Sequence, residues 1–428
     1  MPRRGWLNDP NGLCLYKGER HIFFQSAPEY PAAGPKGWGH YTTTDFKNYI
    51  FRGMALAPDN PLDRDGVYSG SAIERGGTLY LFYTGNVKQA GDFDYINSGR
   101  LATVFSVTTD DGVHFSEKRI ILTNADYPEY YSCHVRDPKV WEEDGRYFMV
   151  LGGRTRDSRG ALLIYSSPDL ESWSFYKDCI FDDFGYMLEC PDIFTLGGKK
   201  VYSFCPQGVE AEGENFRNLF SSGYCVQKIG RQTYHEWDKG YDFYAPQTYA
   251  DGNRRILVGW AGIADAALPY TYDKTLPDGW IHCLTTFREL KECGGRIYSF
   301  PIAEILSLAK GYERTAKSAL KTFFAKVKPL PGTKITLGGC FVIEAAERNL
   351  KFYFISGGCG RAERTLSIQP RELFIFFDDT IAEIFINGGE EVFTARVFGG
   401  SGIEAEGVED CEVSAVGEFS YEEAYCDR

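Results

Sequence analysis

No apolar run in this 428-residue chain approaches the roughly twenty residues a membrane-crossing helix needs. A membrane partner is therefore not expected. The 12 cysteines are scattered singly, with no Cys-x-x-Cys pair, and there are only 6 histidines. That excludes the usual zinc spacings and a regular disulfide framework. No metal or cofactor is predicted, and the thiols read as reduced, as in a reducing compartment. Only five residues precede Trp6, too few for a secretory leader, so a cytoplasmic location is expected. Positive charge is also short: 46 Lys and Arg stand against 59 Asp and Glu, for a net charge of -13. Nucleic-acid phosphates would be repelled. What remains is a soluble protein with a neutral or weakly charged small partner.

What the chain has in quantity is aromatic residues (15%) and glycine (47), the makings of short strands and tight turns. Its length favours two domains. Five hairpins recur, each a β-rich run folded at a glycine-containing turn: Lys17-Gly18, Gly76-Gly77, Asp144-Gly145, Gly197-Gly198 and Gly252-Asn253. The turns begin 59, 68, 53 and 55 residues apart, a period suited to a four-stranded propeller blade with generous loops. A second echo follows three of them, an acid four residues before an aromatic: Asp45/Tyr49, Asp111/Phe115 and Asp169/Trp173. The pattern predicts an all-β protein with a five-bladed β-propeller over 1–301.

Seven or eight residues before each turn stand Asp9, Ser69, Asp137, Glu189 and Tyr244, and a proline follows closely in four of the five. Proline is tolerated where a strand begins. Equivalent positions of successive blades ring the central axis, so three carboxylates are expected to converge at one end of it. Such a cluster could bind a cation, cap backbone amides, or flank a scissile glycosidic bond. Arg136, beside Asp137, would oppose a second cation in the site. The stretch Asp59–Gly66 lacks the spacing of a calcium loop and reads as an ordinary loop.

The ordered segments WLNDPNG (6–12), SGS (69–71), FYTG (82–85), RDP (136–138), ECPD (189–192), DFYAPQ (242–247) and VGW (258–260) are similar to the signatures of glycoside hydrolase family 32. This is the β-fructofuranosidase family, which includes bacterial sucrose and sucrose-6-phosphate hydrolases. The resemblance implies a retaining double displacement, with Asp9 as nucleophile, Glu189 as acid/base and Asp137 as transition-state stabiliser. It also places Trp6, Asn8, Gln25, Tyr68, Ser69, Arg136, Cys190, Tyr244 and Trp260 around a sugar substrate. The chemistry requires Asp9 ionised and Glu189 protonated, hence a raised pKa at Glu189. Two positions depart from the family pattern: Ala33 and Leu188 replace tryptophans, and both are expected at the pocket rim. Phosphate recognition is not visible; Lys36 and the group Arg154, Arg156 and Arg159 read as solvated surface.

A short helix over 302–312 is expected to link the propeller to a C-terminal β-sandwich over 313–428, whose alternating strands resume after it. The sandwich would serve as scaffold, sugar-binding module or homo-oligomer contact, the chain being monomeric or self-associating through it. From Glu404 onward the tail holds nine acids and one base and reads as a solvated end or a final irregular strand. Two other functions fit less well: a propeller glycosidase acting on another furanoside or pentoside, and a carbohydrate-binding protein that has lost activity.

Overall fold

The structure, a computed structural model, describes residues 2, 4–29, 34–262 and 274–424. The described residues are almost wholly β, with one α-helix, Ala303–Leu306. Five sheets of four to six strands are built in turn from the chain up to Pro301, the first also taking Ser420–Glu423, and a ten-stranded sheet is built from the chain after Pro301. The first strands of the five are Gly5–Tyr16, Val67–Arg75, Tyr131–Glu143, Met187–Leu196 and Tyr244–Asp251. Each touches the next, and the fifth touches the first. The architecture is a β-propeller followed by a sandwich-like sheet.

Turn chemistry accounts for the regularity. At Lys17-Gly18, Gly76-Gly77, Asp144-Gly145 and Gly197-Gly198 both residues have positive φ, as the two-residue hairpin turn that matches strand twist requires. The second echo is also one structure used three times. Thr43, Thr109 and Ser167 each accept two backbone N–H groups through the side-chain oxygen. Two residues on, Asp45, Asp111 and Asp169 each accept two more. These Ser/Thr-x-Asp turns join third to fourth strands in the first three sheets.

The expected linker is shorter than a 302–312 helix. After Leu306 the chain returns to β pairing: Ala309 bridges Val416, and Glu313–Arg314 pairs with Val413 and Glu412. Gly311, at φ 131, ends any helical continuation. The acidic tail is ordered. Ile403–Ala415 is a long strand against Thr322–Leu337, and Ser420–Glu423 lies parallel to Asn48–Phe51 at the outer edge of the first sheet. At that sheet's inner edge, Trp280–Ile281 lies parallel to Gly5–Trp6.

The two parts share a core. Ile256, Val258 and Phe287 from the propeller, with Ile302 and Ile305 at the helix, meet Phe324, Phe374, Phe376, Phe385 and Val392 from the ten-stranded sheet. Beside this apolar seam lies a buried ionic one. Arg288, with no exposed surface, donates to Asp238 (2.9 Å), to Glu383 (2.6 and 3.1 Å) and to the Thr394 hydroxyl (2.8 Å).

Candidate active site

Each first strand breaks register with its neighbour at an equivalent place: between Leu7 and Pro10, Val67 and Gly70, Arg136 and Lys139, Glu189 and Asp192, and Tyr244 and Gln247; the first and third have a second shift as well. A bulge interrupts strict alternation and re-aims side chains. Three residues there take the left-handed conformation, Asp137 (φ 64), Cys190 (φ 46) and Ala245 (φ 45). This conformation is costly without glycine. Asp9, Ser69, Asp137, Glu189 and Tyr244 all sit at these bulges.

The five meet. Asp9 accepts from Ser69 Oγ (2.5 Å) and Asn8 Nδ2 (2.8 Å), and Cys190 Sγ lies 3.9 Å from its carboxylate. Asn8 also donates to Gln25, accepts from Trp6 Nε1 (2.7 Å), and is thereby fixed in orientation. Gln25 Nε2 reaches Ser69 Oγ at 3.3 Å. Glu189 Oε1 accepts from Arg136 Nη2 (2.5 Å) and Nε (3.1 Å); Oε2 accepts from Tyr244 OH and Gln207 Nε2, both at 2.6 Å. Asp137 accepts from the Cys190 amide (2.9 Å) and lies 4.0 Å from Arg136 Nε. Trp260, 4% exposed, completes an aromatic wall with Trp6 and Tyr244, its ring centroid 6.0 and 6.4 Å from theirs. Tyr68 flanks Ser69 with its ring against Gly66, and its hydroxyl makes no hydrogen bond among the described residues.

Electrostatics run opposite to the expectation for Glu189. Burial would raise its pKa, but the Arg136 charge and the hydrogen bonds from Tyr244, Arg136 and Gln207 outweigh burial and lower it. Burial raises Asp9, against the Ser69 and Asn8 hydrogen bonds and the nearby Lys36 charge. Asp137 is raised by burial, with the Glu189 and Asp9 charges adding and Arg136 opposing. In the free site Glu189 is the best-stabilised carboxylate, because a guanidinium and two neutral donors converge on it.

Four groups escaped the sequence reading. Lys36 is not a solvated surface residue: its Nζ stands 4.9 Å from the Trp6 ring centroid, and its charge is felt by Asp9 and Glu189. Gln207 reaches Glu189 from the strand paired to it. His282 lies edge-on to Trp6 and Trp260, at 4.5 and 5.0 Å. His134 accepts from Arg136 Nη1 at Nδ1 (2.9 Å). No motif announces them. Leu188 is not at the rim: it is wholly buried with Val150, Leu162 and Phe204 between the third and fourth sheets. Ala33 lies outside the described residues. Asp63, in the loop weighed against a calcium site, instead takes Lys118 (2.6 Å) and the Tyr83 hydroxyl (2.8 Å).

The chain matches the model of the glycosyl hydrolases family 32 N-terminal domain over residues 1–301, and that of the family 32 C terminal over 348–422. It is 35% identical to a sucrose-6-phosphate hydrolase of Bacillus subtilis, over 93% of this chain and 88% of that one. It is 33% identical to a raffinose invertase of Escherichia coli, again over 93% and 88%. Among solved structures, a sucrose-6-phosphate hydrolase of Lactobacillus gasseri superposes with a TM-score of 0.86 at 28% identity, over 97% of this chain and 91% of that one. A family 32 β-fructofuranosidase of Bombyx mori gives 0.84 at 28%, over 98% and 93%. With its family model spanning the five sheets that gather these carboxylates, the chain belongs to glycosyl hydrolase family 32.

Proposed function

We propose that this protein is a cytoplasmic, retaining β-fructofuranosidase that hydrolyses sucrose and sucrose 6-phosphate. The observation that carries the reading is the meeting of Asp9 and Glu189 from different sheets, each held by donors that fix its orientation. Asp9 attacks the anomeric C2 of the fructosyl unit while Glu189 protonates the departing oxygen. Glu189 then takes a proton from water, which releases fructose. Asp137 accepts hydrogen bonds from fructose hydroxyls as positive charge develops on the ring. Trp6 and Trp260 cover the apolar face of the sugar. The five sheets act as five blades of one propeller over 1–301, a reading supported by the closed cycle of contacts among their first strands. The remainder, from 313, is the sandwich domain.

The productive state has Asp9 ionised and Glu189 protonated, the minor form of the free site. Sugar hydroxyls that draw hydrogen bonds from Arg136 and Tyr244 favour it. Tyr244→Phe removes one donor that holds Glu189 ionised. The Glu189 pKa then rises, and the alkaline limb of the kcat/KM profile moves to higher pH. A limb that stays in place would count against Glu189 as the acid.

The reading is tested by fructose release from sucrose, sucrose 6-phosphate, 1-kestose and inulin. Failure on all four overturns it.

A further inference from the structure

Not every cation beside the site has a counter-charge. Arg159 is neutralised by Asp157 (2.9 Å) and Asp182 (3.2 Å), and Arg156 donates to the Glu129 carbonyl (2.7 Å). Arg154 differs from Arg159 in having no carboxylate partner, and from the exposed Arg156 in being partly buried. Its guanidinium lies over the Tyr186 ring, Cζ 4.7 Å from the centroid, and Nη2 donates to Ser158 Oγ (2.9 Å). Its Nε is buried without a hydrogen-bond partner. Arg100 donates to Asn86 Oδ1 (2.5 Å) and to the Tyr95 carbonyl (3.4 Å). Neither arginine has a carboxylate within 4 Å among the described residues.

Both act on the same imidazole. His134 Nε2 donates to the Tyr95 carbonyl (2.9 Å), leaving Nδ1 to accept from Arg136. Burial and the charges of Arg136, Arg100 and Arg154 push His134 down to about 4. It is therefore neutral and offsets none of the positive charge. Arg136 touches the uncharged ring and Arg100 shares the Tyr95 carbonyl with it, while the Arg154 charge acts on it from farther off; of the three only Arg136 has a carboxylate. In a chain of net charge -13, two such arginines beside an acidic site are matched to an anion that arrives from solution.

Their position says which part of the substrate bears it. Tyr186 stands three residues before Glu189. Gly152, two residues before Arg154, lies so close to the Leu188 carbonyl that an added Cβ would come within 2.0 Å of it. The cationic wall is thus on the Glu189 side, where the leaving group departs under the roles proposed above. Lys36, over Trp6, is already balanced by Asp9 and Glu189.

We propose that Arg154 and Arg100 form a phosphate subsite for the leaving-group sugar, so that sucrose 6-phosphate is preferred to sucrose. This inference rests on the fructofuranosidase reading. A guanidinium fork presents paired donors to a phosphoryl group, and the stacked Tyr186 holds one fork in place.

The test compares kcat/KM for sucrose and sucrose 6-phosphate in the parent, Arg154→Gln and Arg100→Gln. The parent favours the phosphorylated substrate. Each variant loses about ten- to a hundredfold on it, the range for charged hydrogen bonds, with less than about threefold change on sucrose. Sucrose turnover also shows that the variants have folded. Glucose 6-phosphate inhibits the parent more strongly than glucose or inorganic phosphate, and Arg154→Gln abolishes the difference. Equal parental kcat/KM on the two substrates, equal losses on both in the variants, or inorganic phosphate inhibiting as well as glucose 6-phosphate would each overturn the subsite. A parent inactive on both substrates overturns the fructofuranosidase reading itself, a distinguishable result.

Discussion

Asp9→Ala yields a folded protein whose turnover of sucrose falls by at least about three orders of magnitude, as removal of a covalent nucleophile does elsewhere. Folding survives because every group Asp9 holds from another sheet has a second anchor. Its side-chain partners are Asn8, Ser69 and Cys190, each anchored otherwise: Asn8 by Trp6 and Gln25, Ser69 by Gln25, Cys190 by its place in the strand. Burial raises the Asp9 pKa, so its removal relieves a desolvation cost. The unfolding midpoint of the variant should equal or exceed that of the parent. The vacated space admits a small anion. Azide should restore part of the rate and give a fructosyl azide of inverted configuration. A near-parental rate without azide would remove Asp9 from the mechanism; a folded, slow variant that no anion rescues would point to a positioning role.

The second large effect is on stability. Arg288→Ala leaves Asp238 and Glu383 facing each other without the cation between them, in a seam where Arg288 and Asp238 have no exposed side-chain surface and Glu383 has 1%. Breaking a buried ion pair by removing one partner costs about 3–5 kcal/mol, because the remaining charge is buried and uncompensated. Burial already raises Glu383 against the pull of Arg288, so in the variant it takes up a proton. The urea midpoint should fall clearly at pH 7 and partly recover toward pH 5, where protonation is cheaper. Glu383→Gln placed on Arg288→Ala should recover part of the loss. An unchanged midpoint for Arg288→Ala would mean that the apolar seam alone joins the two parts.

These two residues also mark how far the sequence could be read. Asp9 was legible because it repeats: its distance to Lys17-Gly18 matches those of Asp137 and Glu189 to their turns. A bulge recurring at the same place in each sheet preserves that spacing, so counting back from a turn finds the inward-aimed residue. Ser69 and Tyr244 were found in the same way. Gln207 and His134 reach the centre from strands and side chains that no repeat position predicts. Lys36 looked like any surface lysine, since nothing local reveals that Trp6 lies beneath it. Leu188 was expected at the rim because the family pattern has a tryptophan there, and nothing in the sequence shows that this position packs with Val150, Leu162 and Phe204 instead. Arg288 meets Asp238 and Glu383 across separations of 50 and 95 residues, and single-sequence patterning carries no signal over such gaps. The protonation order at Glu189 was misjudged for a related reason. Its partners Arg136, Gln207 and Tyr244 converge only in the folded chain.

The first sheet is begun before all the others and finished after them. One edge waits for Trp280–Ile281 and the other for Ser420–Glu423. On the ribosome, therefore, the strand that bears Asp9 is made well before Trp280–Ile281 and lies beside an unpaired edge while the strands between them are synthesised. Open strand edges invite pairing with other chains. Nascent copies on one messenger are most exposed to such errors in this sheet, and Ser420–Glu423 closes its outer edge only after the other described strands have been made.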